Sequence, residues 1–275
     1  MANITAAEVN KLRQITGAGM MDCKKALVES DGDIDKAIDY LRKKGQKVAS
    51  NRADREAKDG YVVAKTNPEK NYAAIIMLNC ETDFVAKNKD FISMAEVILN
   101  KAIEEKPVSE EELKNLKIEG RPITDHLTDL IGKIGEKVEL NHFHFISAPA
   151  THFYNHAGNR LATIVGFNKA LDVDVAKDIS MQIAAMNPVA IDKEDVDSKV
   201  IENEIEIGKE QARQEGKPEE MLEKIALGKL NKFYKESTLV NQEFIKDSKK
   251  TVSQYMAESD KELKVTSFKR LMLGE

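Results

Sequence analysis

One order of elements occurs twice in this chain, and that duplication limits the fold more than any other feature of the sequence. Residues 60–65 and 71–79 read as two strands. They are joined by Thr66-Asn67-Pro68-Glu69-Lys70, a cluster of turn-forming residues between apolar runs. A connection follows, and then a helix near residues 91–102 with Ile92, Ala95, Ile98, Leu99 and Ala102 at helical spacing. Residues 151–156 and 160–168 again read as strand and strand, turned by Ala157-Gly158-Asn159, and lead to a helix near residues 175–186 that Asn187-Pro188 stops. The letters echo too: Ile92-Ser93-Met94 stands in the first helix and Ile179-Ser180-Met181 in the second. A strand–turn–strand–helix unit used twice implies two related α+β subdomains side by side. Residues 141–147 alternate as a third strand of the first sheet, after an acidic, helix-prone stretch at 107–140.

The two copies differ at the connection between the second strand and the helix. The first copy has Cys80-Glu81-Thr82-Asp83-Phe84-Val85-Ala86-Lys87, and the second has Ala170-Leu171-Asp172 with no aromatic. Connections run over the surface because their backbone must stay hydrated, so a large aromatic there either packs down or meets a partner. The repeated fold does not require an aromatic at this place. Asp83 and Phe84 are therefore the first candidates for a functional probe on a loop.

Before the first copy stands a run of short helices. Thr5-Ala6-Ala7-Glu8 is a capping box, in which hydroxyl and carboxylate each satisfy an orphan backbone donor. Val9, Leu12 and Ile15 follow on one face, and Gly17-Ala18-Gly19 breaks the helix. Those glycines lack the Lys-Ser/Thr of a phosphate loop and the preceding strand of a dinucleotide turn. A second helix carries Cys23, Ala26 and Leu27. Asp33 then caps a third with Ile34, Ala37, Ile38 and Leu41, which Gly45 is expected to end. Adjacent helical residues point about 100° apart, so Met20 and Met21 cannot both be buried in so small a bundle. An exposed thioether suits a protein contact.

Residues 192–234 have no strand character. Val196, Val200, Ile201, Ile205 and Ile207 mark one helix, Gly216-Lys217-Pro218 a turn, and Met221, Leu222, Ile225, Ala226, Leu230 and Phe233 a second. Short elements return after it, ending in a strand near 265–272. The expected architecture is α+β: a small N-terminal three-helix bundle (1–46), a linker (47–59), a first core subdomain (60–148), and a second (149–192 and 236–275) interrupted by an antiparallel helical hairpin (193–235).

Composition narrows the function. The net charge of −5 offers no basic surplus for nucleic acid. Residues 1–5 lack the basic start and apolar core of a signal peptide, and no run is long and apolar enough to span a bilayer. Two cysteines far apart suit a reducing compartment, the cytoplasm, with free thiols. His142, His144, His152 and His156 lie close in sequence, but no cysteine or matched carboxylate completes a ligand pattern. A metal-dependent enzyme built on those histidines, or a helical adaptor built on the bundle and hairpin, are the competing readings. The adaptor leaves Asp83 and Phe84 unexplained.

The run Leu12-Arg13 followed by Thr16-Gly17-Ala18-Gly19-Met20-Met21-Asp22-Cys23-Lys24-Lys25-Ala26-Leu27 resembles the N-terminal signature of the elongation factor Ts family. Cys80-Glu81-Thr82-Asp83-Phe84-Val85-Ala86 resembles its second signature. Ile134-Gly135-Glu136, Tyr154-Asn155-His156 and Phe268-Lys269-Arg270 are similar in the same order. The resemblance implies a guanine-nucleotide exchange factor, not an enzyme, with a UBA-like N-terminal module and no cofactor or metal of its own. Its partner would be elongation factor Tu, GDP-bound and nucleotide-free, with no direct nucleic-acid or membrane contact. Displacement at the partner's magnesium site would fall on Thr82, Asp83, Phe84 and Val85. Arg13, Met20 and Met21 would contact the partner from the N-terminal module, and Ile134, in a core loop, and His156 from the core. Self-association through the core or the hairpin stays open. The chain stops at Leu273-Gly274-Glu275, where some relatives continue into a further module that grips the partner.

Overall fold

The computed structural model describes residues 4–275. The chain begins with helices α1 (Ala6–Thr16), α2 (Met20–Glu29) and α3 (Ile34–Asn51). Strands β1 (Asp59–Thr66) and β2 (Tyr72–Cys80) follow, then a one-turn helix α4 (Asp83–Ala86), α5 (Lys89–Glu105), α6 (Glu110–Asn115), the short pair β3 (Lys117–Ile118) and β4 (Arg121–Pro122), α7 (Ile123–Ile134) and β5 (Val138–Ser147). The second half runs β6 (Ala150–Asn155), β7 (Leu161–Phe167), α8 (Val173–Met186), α9 (Ser198–Gln214), α10 (Glu219–Ser237), β8 (Glu243–Phe244), β9 (Asp247–Thr251), α11 (Val252–Ser259) and β10 (Val265–Met272). The fold is α+β. Among the described residues no helix is long and apolar enough to cross a membrane.

Two three-stranded antiparallel sheets, ordered β1-β2-β5 and β10-β7-β6, form the centre. Every residue of β2 is buried, because both of its faces are covered. Ala74, Ile76 and Leu78 point into a core closed by Phe91, Ile98 and Leu99 of α5 and by Ile123 and Leu130 of α7. Ala73, Ile75 and Met77 point the other way, against Ala162 and Ile164 of β7 and Leu271 of β10. Each such isoleucine or leucine contributes about 1.5–3 kcal/mol by leaving water. A third core lies behind the second sheet, where Ile179 and Ile183 of α8 meet Val165, Phe167 and Val252. The sheets are also tied at their edges. The Asn155 amide donates to the Ala64 carbonyl at 3.0 Å and accepts from its N–H at 2.8 Å, standing in for a strand partner.

The capping box forms as expected: the Thr5 N–H donates to Glu8 at 2.8 Å and the Glu8 N–H to Thr5 Oγ1 at 3.3 Å. Gly45 does not end α3. It lies inside the helix, and the stretch expected as a linker from 47 begins with helical residues, of which Val48 and Ala49 pack on the first core. The reason is a contact with α7. A Cβ at Gly45 would meet the Thr128 carbonyl at 2.9 Å, and one at Gly132 would meet the Gly45 Cα at 2.9 Å. The glycine serves a close helix–helix approach rather than a stop. The last strand, β10, pairs with β7, so α9 and α10 are inserted between elements of one sheet layer. Their seam is narrow: Gly208 and Ala212 against Leu222, Ala226 and Leu230.

Candidate functional site

The connection after β2 is not a plain loop. Residues 83–86 make one helical turn, α4, because Thr82 caps it: its Oγ1 accepts from the Val85 N–H at 3.4 Å. Adjacent positions of a turn face about 100° apart. Val85 points inward and joins the first core, while Phe84 points out and is 82% exposed. Asp83 stands at the start of the turn, where Lys87 donates to its carboxylate at 2.7 Å and holds its pKa below the ordinary value.

The turn is fastened from its N-terminal side. Glu136 accepts from Thr82 Oγ1 at 2.8 Å through Oε1 and from the Thr82 N–H at 3.1 Å through Oε2. Gly135, with φ +79°, ends α7 and swings the chain so that Glu136 can reach back. Glu81, one residue before the cap, accepts from Arg52 Nη1 on both oxygens at 2.7 and 2.8 Å and from the Lys137 N–H at 2.7 Å. Burial opposes ionisation of Glu81, but the Lys137 N–H and Arg52 outweigh it and hold its carboxyl below the usual carboxylate range. Below, Cys80 donates from Sγ to the Thr82 carbonyl at 3.2 Å, and burial first, then the Glu136 and Asp59 charges, push its thiol pKa up to about 12. Both cysteines are free and buried.

An open cleft of ≈ 510 Å³ separates this turn from the N-terminal helices. Phe84, Val85 and Ile134 line one wall, and Arg13 and Met20 the other. Lys133 bridges to Asp90 at 2.7 Å among its lining residues. Five of the nine residues named from the sequence are thus brought together, from stretches far apart in the chain. Met20 is 56% exposed and Met21 75%, so both thioethers face solvent, although Met21 lies outside the cleft. Ile134 is the last residue of α7 rather than part of a loop, and it leans on the first core.

His156 sits elsewhere, on the exposed turn after β6, where its Nδ1 is hydrogen-bonded to Tyr154 OH at 2.9 Å. His152 Nδ1 is hydrogen-bonded to Ser180 Oγ at 3.0 Å. Burial lowers its pKa, as do Lys70 and Lys177. Burial likewise lowers that of His144, with Lys269 adding to it. His152 and His156 thus each have a hydrogen-bond partner of their own. Among the described residues no group of three or more His, Cys, Asp or Glu side chains is arranged to hold a metal. Reading the sequence alone misses Glu136, Arg52 and Lys137. Glu136 stands in a recognised motif, yet nothing local says that it holds the cap of a turn 54 residues earlier.

A family model described as Elongation factor TS matches residues 81–275. The elongation factor Ts of Amoebophilus asiaticus is 52% identical over 274 residues, covering 98% of this chain and 99% of that protein. That of Christiangramia forsetii is also 52% identical, over the whole of both chains. That of Porphyromonas gingivalis is 51% identical over 98% of each.

Proposed function

The chain belongs to the elongation factor Ts family, and from that premise we propose that it acts in translation elongation as a guanine-nucleotide exchange factor. It binds elongation factor Tu with GDP, disturbs the magnesium and phosphate site, releases GDP, and leaves the nucleotide-free partner to take up GTP. The observation that carries this reading is Phe84: a largely bare aromatic on a braced turn, across a cleft from Arg13 and Met20. An exposed phenylalanine gains nothing for the fold, whereas a rigid aromatic entering a pocket is a strong anchor for a partner.

The mechanism needs no bond-making chemistry in this protein. A GTPase holds its nucleotide through phosphate contacts and magnesium, both electrostatic and both sensitive to small displacements of the loops around them. Phe84 wedges those loops, and Asp83 brings a carboxylate to the same place. Binding of the factor and binding of the nucleotide then weaken each other by the same factor. The equilibrium between GDP and GTP states is untouched and only the barrier to release falls, about 1.4 kcal/mol for each tenfold gain in rate. Val85 anchors the probe, and Thr82 caps it. Arg13, Met20 and Met21 provide contact from the helical module, Ile134 and His156 from the core. The reading places the protein in the cytoplasm, with no cofactor, no membrane and no direct nucleic-acid contact. The test is release of labelled GDP from elongation factor Tu. Acceleration that grows with factor concentration to a plateau is expected, and a release rate indifferent to the protein would dispose of the exchange function.

A further inference from the structure

A helix of one turn does not hold itself together, because fixing its dihedrals costs more than its few hydrogen bonds return. The direction of Phe84 must therefore be set by what surrounds α4. Val85 supplies an apolar root, but a single root leaves the turn free to rotate about it. Two carboxylates remove that freedom. Glu136 takes both donors of Thr82, the residue whose hydroxyl in turn accepts from Val85. Glu81, immediately before, is clamped by the Arg52 guanidinium and the Lys137 N–H. Arg52 is the C-cap of α3, the helix on which α1 and α2 pack. The same helix abuts α7 at Gly45, about 10 Å back along its axis at 1.5 Å per residue. The segment after α3 is tied as well, since Lys137 Nζ donates to the carbonyls of Ala53 at 2.8 Å and Arg55 at 3.0 Å.

We propose that Glu136 is a positioning residue for Phe84, holding α4 through both donors of Thr82, and that the Arg52–Glu81 pair fixes the distance between that turn and the opposite wall of the cleft. The residues 132–137 thus act as one strut: Gly132 seats α3, Glu136 holds the Thr82 cap of the probe turn, and Lys137 completes the clamp on Glu81. A preorganised probe spends less of its contact energy on ordering itself when it meets a partner. Loss of Glu136 therefore reaches the plateau rate through Phe84. Loss of Arg52 acts on how well the two walls engage the partner together.

The activity part of this inference rests on the exchange-factor reading; the ordering of the turn is measured without any partner. Amide hydrogen exchange is followed on the intact protein for wild type, Glu136→Ala and Glu136→Gln. The Val85 and Ala86 amides are expected to exchange about tenfold faster in Glu136→Ala, the size that loss of a hydrogen bond to a charged group produces, with the β2 amides unchanged. Glu136→Gln keeps one acceptor but turns an NH2 toward the other donor, so an intermediate effect of about threefold is expected. In GDP release from elongation factor Tu, Glu136→Ala should lower the plateau rate about tenfold and leave the half-saturating concentration within about threefold. Combined with Phe84→Ala it should cost nothing beyond Phe84→Ala alone, since it acts through that ring. Arg52→Gln should raise the half-saturating concentration about fivefold and keep the plateau.

The positioning role is overturned by α4 amides in Glu136→Ala that exchange as in wild type, by losses additive with Phe84→Ala, or by β2 amides that speed up equally. The last marks general destabilisation. An Arg52→Gln protein with an unchanged half-saturating concentration overturns the spacing role of the Arg52–Glu81 pair. Wild-type protein without exchange activity would end the functional reading, while the amide measurement still decides whether Glu136 orders the turn.

Discussion

The two strand-to-helix connections start from one frame and diverge. In each, a short polar side chain caps the following helix by the same bond: Asn88 accepts from the Asp90 N–H at 2.8 Å, and Asp172 from the Asp174 N–H at 2.7 Å. The second connection takes five residues, 168–172, between β7 and α8. It folds its one large apolar side chain inward, where Leu171 packs on the second core. Lys169 ties it to Asp260 at 2.7 Å, and Asn168 donates to the Glu262 carbonyl at 2.9 Å. The first takes eight residues, 81–88, between β2 and α5, and the extra length is an added helical turn. A turn sends neighbouring side chains to different sides, so Val85 roots it while Phe84 faces water. The frame explains the inward leucine. It does not explain the outward phenylalanine, which needed an insertion and two carboxylates of its own.

The sharpest way to break this contrast is to truncate both side chains. Phe84→Ala should slow exchange about 30-fold, the effect of losing a ~2 kcal/mol interface anchor, and leave the melting temperature within about 1 °C. Leu171→Ala should do the reverse, lowering stability by about 1–2 kcal/mol in urea melts while the plateau of GDP release stays at wild type. If Phe84→Ala costs as much stability as Leu171→Ala, the aromatic belongs to the fold after all.

A smaller effect tests what the connections share. Asn88→Ala and Asp172→Ala each remove one N-cap acceptor, and each should lower stability by about 1 kcal/mol. Near-equal losses in urea melts are the outcome that supports a common frame. A loss at only one of the two would mean that the caps are not equivalent and that the repeat is a likeness of order, not of construction.

Local chemistry made much of this legible. The capping box at Thr5, the hairpin turns and the strand at 265–272 follow from residue types within a few positions of one another, so reading along the chain finds them. Phe84 stood out for the same reason: an aromatic in a polar connection is visible without a third dimension. The role of Gly45 is set by Gly132 on another helix, and in sequence a glycine looks the same whether it ends a helix or lets one approach. The hold of Glu136 on the Thr82 cap is invisible along the chain, since that partner lies 54 residues back. The cleft could not be read at all. It exists only once α3 docks on α7 and brings Arg13 and Met20 opposite Phe84.

The least of the expected effects separates the ties by acid and salt. Glu81, with 14% of its side chain exposed, and Asp260, with 41%, are each paired with a cation, Arg52 and Lys169, and both carboxyls lie below their ordinary pKa. A depressed folded pKa adds stability that is present above the unfolded value, 4.5 for Glu81, and is lost as pH falls through the folded one. The gap in stability between wild type and Arg52→Gln should therefore be full at about pH 6 and shrink as pH falls through the depressed folded pKa, where Glu81 protonates and Arg52 loses its partner. Salt should distinguish the two pairs at neutral pH. The exposed Lys169–Asp260 pair is screened, so the gap between wild type and Lys169→Ala should close at about 0.5 M salt, while the gap for Arg52→Gln persists because that pair is sheltered and hydrogen-bonded on both oxygens. Urea melts across that grid of pH and salt decide it. Equal salt sensitivity of the two gaps would mean that Glu81 is as solvated as Asp260, and a solvated pair could not brace the turn that carries Phe84.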